Sequence, residues 1–247
     1  TLYPFETEIY EKNGIPVAFV GHPKADEIDV DEGESAKVAA RSELGIEANE
    51  KVVAILPGSR KSEVRMTGRD FLDTARLLGG RVDRFVIPAS NARRLEQLRE
   101  MLATYQELGS RVQLIEGESR QVMTAADVVL VNSGTATLEA MLLKKPMVMS
   151  YRLGPMTYAI VSRLIKTNWF ALPNILAGQS LVPELIQDDA NPEQLAQAVK
   201  ILLEAENVEK LVSEFDRIHR MLRKGAEPGR EAAAVVLRHC GVDVEVH

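Results

Sequence analysis

The segment Asn132-Ser133-Gly134-Thr135-Ala136-Thr137-Leu138-Glu139 runs from an apolar stretch into a helical pattern. Ser133 and Gly134 stand at the start of the expected helix. Free backbone N–H groups and the helix dipole favour an anion such as a diphosphate there. Thr135 and Glu139 are four apart and share one side of that helix. A carboxylate so placed accepts both hydroxyls of a ribose. The competing explanation is capping. Ser133 can cap, but a capping box closing on Glu139 needs Ser or Thr at position 136, which is Ala136. Ligand binding is therefore the favoured reading of Glu139.

Three more segments carry candidate chemistry. Pro57-Gly58-Ser59-Arg60 follows the apolar run at residues 52–56. Gly58 lets backbone approach a ligand, Ser59 offers a hydroxyl, and Arg60 can fork onto phosphate oxygens. An ordinary strand-to-helix turn with a surface arginine explains the same four residues. Glu116-Gly117-Glu118-Ser119-Arg120 is a loop on the same edge. It suits a flat base read by backbone groups, or is a plain polar connection. Asn174 lies in the apolar stretch Leu172-Pro173-Asn174-Ile175-Leu176-Ala177-Gly178. On the residues alone, its amide is better read as satisfying backbone than as meeting a ligand.

Other signals are weaker. Asp29-Val30-Asp31 has the look of a metal-binding Asp-x-Asp, but it sits in an acidic turn ahead of a helix and reads as solvated. His22, His219, His239, His247 and Cys240 show no metal-ligand spacing, so no metal is expected. Gly-x-Gly-x-x-Gly, Walker and Gly-x-Ser-x-Gly signatures are all missing from the sequence, which gives no support to NAD, ATP or serine-hydrolase chemistry. No cofactor is expected.

The elements that must hold these residues alternate. Strands are expected at residues 52–56, 84–87 (stopped by Pro88), 111–115, 128–131 and 146–151. Helices are expected at 71–78, 92–108, 119–126 and 135–143. This is the pattern of an α/β fold: a Rossmann-like parallel sheet flanked by helices. An apolar helix is expected from Gly154-Pro155 toward Lys166, and the stretch around Pro173, Gly178 and Pro183 reads mostly as loop. Further helices follow at 192–204, 207–224 and 228–239, with another ending near Gly45. The organisation expected is a linker at 1–22, the Rossmann-like domain at 23–190 and additional C-terminal helices at 191–247.

Composition narrows the function. Of 247 residues, 45% are hydrophobic and 27% charged, enough for a sizeable core under a soluble surface. Thirty Lys and Arg against 36 Asp and Glu give a net charge of -6, so no nucleic-acid partner is expected. The single Cys240 fits a reducing compartment. No apolar run approaches the roughly 20 residues that cross a bilayer. The opening lacks Met and reads as mid-chain, so a preceding segment is expected.

Taken together the motifs resemble the lipid-A-disaccharide synthases. The resemblance rests on Tyr3-Pro4-Phe5-Glu6, Phe19-Val20-Gly21-His22-Pro23, Leu56-Pro57-Gly58-Ser59-Arg60, Glu63-Val64, Ser133 through Glu139, Pro146-Met147-Val148 and Leu172 through Gly178. The Ser59-Arg60 loop, the Glu139 helix and the Asn174 loop in this order are specific. The glutamate helix alone is shared by the wider GT-B superfamily. The family implies two Rossmann-like domains across a cleft, of which this chain resembles the C-terminal, donor-binding half.

It also implies the reaction: 2,3-diacylglucosamine passes from its UDP derivative to 2,3-diacylglucosamine 1-phosphate (lipid X), with inversion, giving a β-1,6 disaccharide phosphate and UDP. UDP-2,3-diacylglucosamine and lipid X are thus the expected partners, together with the cytoplasmic face of the inner membrane as a peripheral surface; a homodimer is allowed for. By the same resemblance Gly58, Ser59, Arg60, Ser133 and Gly134 hold the diphosphate, with Thr135 beside them. Glu139 binds ribose, the loop Glu118, Ser119, Arg120 and Gln121 flanks uracil, and Asn174 reaches sugar or diphosphate. The catalytic base is expected in the N-terminal domain, so this chain alone would be inactive. A UDP-sugar 2-epimerase of the same fold and a non-catalytic nucleotide-binding module are the alternatives.

Overall fold

A computed structural model describes residues 1–31, 33–132, 134–152, 169–205, 208–225 and 228–240. At its centre lies a six-stranded parallel sheet: β1 (Val52–Leu56), β2 (Arg84–Ala89), β3 (Val112–Glu116), β4 (Val128–Asn132), β5 (Met147–Tyr151) and β6 (Glu184–Ile186). The order across the sheet is β3-β2-β1-β4-β5-β6. This is the doubly wound order, which reverses direction between β1 and β4 and opens a crevice at their carboxyl ends. Every residue of β1 and of β4 is buried, because helices cover both faces; all are apolar except Asn132 at the carboxyl end of β4.

The helices divide between the two faces. On one side α4 (Lys61–Leu78), α5 (Ala92–Leu102) and α9 (Pro192–Glu204) supply Val64, Phe71, Leu72, Leu95, Leu98, Leu195 and Val199 to a core with Val53, Ile55, Phe85 and Leu130. On the other, α6 (Ser119–Ala125), α7 (Thr135–Leu142) and α10 (Val208–Leu222) bring Val122, Met123, Leu138, Met141, Phe215, Ile218 and Leu222 against Ala54, Val129 and Met149. On α4, Val64, Phe71, Ala75 and Leu78 recur at helical spacing and are all buried.

Residues 1–22, expected as a linker, include α1 (Pro4–Lys12); α2 (Pro23–Glu27) and α3 (Gly33–Leu44) follow within the expected 23–190 domain, and α1 and α2 each have proline in the first turn. The sequence expectation also shifts elsewhere. Pro88 lies inside β2 instead of ending it; the strand's pairing with β1 runs only to Val86, so the proline sits beyond that ladder. The helix expected at 92–108 stops at Leu102 and is followed by a 3-10 segment, Gln106–Arg111. The stretch read as loop contains α8 (Leu172–Ala177) and β6. Pro173 occupies a first-turn position, where its missing N–H costs nothing, and Gly178 ends the helix at φ 65°. The last helix, α11 (Pro228–His239), follows expectation. The apolar helix expected over 154–166 lies outside the described residues. Among the described residues, no helix is long and apolar enough to cross a membrane.

Candidate functional site

The carboxyl ends of β1, β2, β3 and β4 open into a cavity of about 610 Å³, within the range of small-molecule sites. Each strand delivers a short loop to its wall. From β1 come Gly58, Ser59 and Arg60, from β2 Pro88, Ala89 and Ser90, from β3 Gly117, Glu118 and Ser119, and from β4 Asn132, Gly134 and Thr135; Glu139 follows one turn into α7. The location is the sheet's switch point between β1 and β4, where open α/β sheets bind ligands.

The first loop is built around Glu63. Its Oε2 accepts the backbone N–H of Ser59 at 2.9 Å and of Arg60 at 3.0 Å, and its Oε1 accepts Arg60 Nη1 at 2.9 Å. Three donors thus converge on one carboxylate, the donor set that a phosphate group would use. Gly58 has φ 115°, and a Cβ there would lie 2.6 Å from Glu63 Cβ. Only glycine fits. The Arg60 side chain is 81% exposed, so its guanidinium can leave Glu63 for a ligand at little cost. Ser90 Oγ donates to the carbonyl of Ser59 at 3.2 Å and ties the second loop to the first.

Across the cavity, Gly134 adopts φ 130° as the residue before α7, and Thr137 Oγ1 donates to its carbonyl at 2.9 Å. Glu139 projects from the first turns of that helix with Oε2 3.3 Å from Lys24 Nζ. On the third side Glu118 is left-handed at φ 53° and Gly117 donates its N–H to the carbonyl of Ala89 at 2.7 Å. A wall of backbone, glycine and short polar side chains faces the carboxylates of Glu63, Glu118 and Glu139 and the exposed Arg60.

A second cavity of about 620 Å³ lies at the opposite, amino ends of the strands. It is marginally larger, but Lys37, Arg41 and Asp127 of its wall are committed to one another and to backbone. Lys37 Nζ is 2.9 Å from Asp127 Oδ1, and Arg41 spends Nε on the Ala125 carbonyl and Nη2 on both Asp127 oxygens. The cavity at the carboxyl ends is therefore the candidate site.

A family model described as Lipid-A-disaccharide synthetase matches residues 1–237. The lipid-A-disaccharide synthase of Pseudomonas paraeruginosa is 48% identical over 239 residues, which is 96% of this chain and 61% of that relative. The chain belongs to the lipid-A-disaccharide synthase family. It spans 61% of the length of the relative it matches. Among solved structures, a glycosyltransferase from Rickettsia africae has a TM-score of 0.61 at 11% identity, covering 95% of this chain and 61% of its own. The UDP-GlcNAc 2-epimerase from Neisseria meningitidis bound to UDP-GlcNAc has a TM-score of 0.57 at 16% identity, covering 98% and 60%. These likenesses establish the fold, the Rossmann-like half of the GT-B architecture, in a lipid-A-disaccharide synthase family member.

Most of the residues that the sequence singled out come together. Gly58, Ser59, Arg60, Glu118, Ser119, Gly134, Thr135 and Glu139 line one cavity. Arg120 and Gln121 are outside its lining; the Gln121 amide bonds the Glu43 carboxylate instead. Ser133 is outside the described residues. Asn174 is a correction: it is fully buried and away from the cavity. Its Nδ2 donates to Val182 O at 2.9 Å and Glu184 Oε1 at 2.7 Å, while Oδ1 accepts from Leu181 N at 2.8 Å and Val182 N at 2.9 Å. With its hydrogen-bonding capacity spent on the turn after α8, nothing remains for a ligand. The plainer reading, backbone satisfaction, is what this side chain does.

The sequence reading missed Glu63, Pro88, Ala89, Ser90 and Lys24 as members or neighbours of the site, while Gly117 stood within the loop it singled out. Ser90 could have been found from position, since it follows a strand on the carboxyl edge. Lys24 had no local signal, because its partner is 115 residues away.

Proposed function

We propose that the chain is the donor-binding part of a lipid-A-disaccharide synthase and that the cavity holds the UDP moiety of UDP-2,3-diacylglucosamine. The observation that carries this reading is the convergence, in a member of this family, of the Gly58-Ser59-Arg60 turn and the Glu139 helix on one crevice at the β1/β4 switch point. The neighbouring epimerase structure holds UDP-GlcNAc, which supports a UDP-sugar as the ligand class. Glu139 accepts the ribose hydroxyls, and the start of α7 and Arg60 face the diphosphate. The Gly117-Glu118-Ser119 turn offers a backbone edge to uracil.

In this reading the protein's task at this half is leaving-group stabilisation. As the bond between the sugar and the diphosphate breaks, negative charge grows on UDP. Preorganised N–H groups and a guanidinium stabilise that charge where it develops. The attacking hydroxyl belongs to 2,3-diacylglucosamine 1-phosphate, and its proton goes to a base supplied by the other half of the cleft. The disaccharide product stays acylated, so we place the enzyme as a peripheral protein on the cytoplasmic face of the inner membrane.

The deciding experiment is calorimetric titration of UDP into the chain and into Glu139→Gln. Hydrogen bonds to a charged group contribute about 1.5–3 kcal/mol each, which glutamine replaces only in part. UDP affinity is expected to fall about tenfold or more. The ion pair that Glu139 makes with Lys24 is partly exposed and accounts for about 1 kcal/mol or less of stability, so the melting temperature should barely move. Collapse of melting with undiminished UDP binding by the folded remainder rejects the reading.

A further inference from the structure

Lys24 lies outside the sheet, on α2, yet its Nζ stands 3.3 Å from Glu139 Oε2. Among the described residues it is the one side chain that bonds this carboxylate. Glu139 lines the cavity and Lys24 does not, so the ammonium holds the carboxylate from outside the ligand space. The pair is half-dry: 15% of the Glu139 side chain and 38% of the Lys24 side chain are exposed.

The backbone under Lys24 is fixed from several directions. His22 Nδ1 accepts the Lys24 N–H at 3.2 Å and caps α2. The His22 N–H donates to the Leu222 carbonyl at 3.0 Å, and the buried ring of His219 meets the Ala25 carbonyl at 2.8 Å, both on α10. Arg223 lies 3.6 Å from Asp26. Contacts with the last turn of α10 and with Arg223 just beyond it therefore set where the Lys24 side chain begins. With the backbone fixed in this way, only the side-chain torsions of Lys24 remain to be ordered when it meets its partner.

We infer that Lys24 is a positioning residue for the nucleotide: it pins one oxygen of Glu139 so that the carboxylate faces the ribose hydroxyls before the ligand arrives. The inference rests on the reading of the cavity as a UDP site. A carboxylate held in place has less orientation to lose on binding, which is where preorganisation gains affinity. Lys24 thereby brings a residue of the N-terminal segment into the working of a site built by the sheet.

The test is a double-mutant cycle read by titration with UDP and with uridine, using Lys24→Met, Lys24→Arg, Glu139→Gln and the Lys24→Met/Glu139→Gln pair. Lys24→Met should weaken UDP about three- to tenfold, and uridine by the same factor, because the effect acts on ribose. Lys24→Arg, which keeps the charge, should return affinity to within about twofold of wild type. In the Glu139→Gln background, Lys24→Met should change UDP affinity by less than about twofold. An equal loss from Lys24→Met in both backgrounds overturns the inference, as does a loss confined to UDP, which would make the ammonium a diphosphate contact. Wild-type protein that fails to bind UDP removes the nucleotide reading and this inference with it. Wild-type binding with an additive cycle removes the inference alone.

Discussion

Lys144 Nζ lies 2.6 Å from Nδ1 of His219, whose Nε2 meets the Ala25 carbonyl at 2.8 Å. The carbonyl can only accept, so Nε2 carries the ring proton and Nδ1 accepts from the ammonium. A proton added to Nδ1 would face that ammonium directly. Burial lowers the His219 pKa from 6.5, and the charges of Lys144 and Arg223 lower it further; the Ala25 hydrogen bond and Asp216 oppose. The unfolded chain then binds more protons across the histidine range. Stability is present above about pH 6.5 and falls as the pH drops through the histidine range. Melting temperature is expected to fall between about pH 7.5 and 5.5, and His219→Gln should flatten that slope. His22, lowered first by burial and then by Lys24, keeps a residual slope. Unfolding followed at several pH values checks this; an unchanged slope in His219→Gln refutes it.

Lys144 and Lys145 give an alkaline counterpart. Burial is the leading cause that lowers each from 10.5 to about 8. Above that value the folded protein sheds protons that the unfolded chain retains, so stability should rise between about pH 8 and 9.5. Substituting both lysines by Met should abolish the rise in melting curves. A wild-type profile already flat there would count against the burial of these amines.

Gly58→Ala tests the phosphate-facing turn. The new Cβ would lie 2.6 Å from Glu63 Cβ at a backbone φ of 115°, so the loop must shift. Strain of this kind costs about 1–3 kcal/mol, or a few degrees of melting temperature at about 2–4 °C per kcal/mol. UDP affinity is expected to fall about tenfold or more. Normal UDP affinity in this variant would detach the turn from the site.

Asn174→Leu separates structure from binding in the opposite sense. It leaves the Leu181 and Val182 N–H groups and the Val182 carbonyl without their amide partner. Buried unpaired groups cost about 1–3 kcal/mol each, so melting should drop by roughly 5 °C or more. Folded protein should bind UDP as wild type does. A variant that melts normally but binds poorly would return Asn174 to the ligand.

Lys61, Arg65 and Arg69 are exposed and four residues apart, so they form one basic stripe on α4 beside Arg60 of the cavity, with Met66 partly buried among them. Each cation near an anionic bilayer contributes about 1 kcal/mol. The substitutions Lys61→Glu, Arg65→Glu and Met66→Ser in the full-length enzyme should reduce binding to anionic vesicles about tenfold or more. Sedimentation with vesicles measures it, and undiminished binding would remove this face from the membrane.

Strands β1 and β4 were legible because a doubly buried strand is dominated by apolar residues: Val52–Leu56 is wholly apolar, and β4 is apolar up to Asn132 at its carboxyl end. The start of α7 was legible because glycine and Thr135 mark a helix beginning after a strand. The fate of Asn174 was not, since an amide that closes a turn and one that meets a sugar look identical in sequence. Nor was the buried Arg41, whose guanidinium joins Ala125, Ala48 and Asp127 across three connections. Such pairings are made by the fold between residues with no local relationship. Helices α1 and α2 were also hidden: nine and five residues are too few to declare themselves by periodicity.

The hydrogen bond from the His22 N–H to the Leu222 carbonyl sets an order of events during synthesis. The sheet can close once β6 has left the ribosome, and by then all the strand-end loops of the cavity exist. The N-terminal segment, although translated first, meets α7 through Lys24 and Glu139 but lacks its contacts with α10 until residues 208–222 follow. The backbone under Lys24 therefore gains its last anchors only when that helix emerges. A nascent chain arrested between those points would carry a closed sheet with an unfinished mouth.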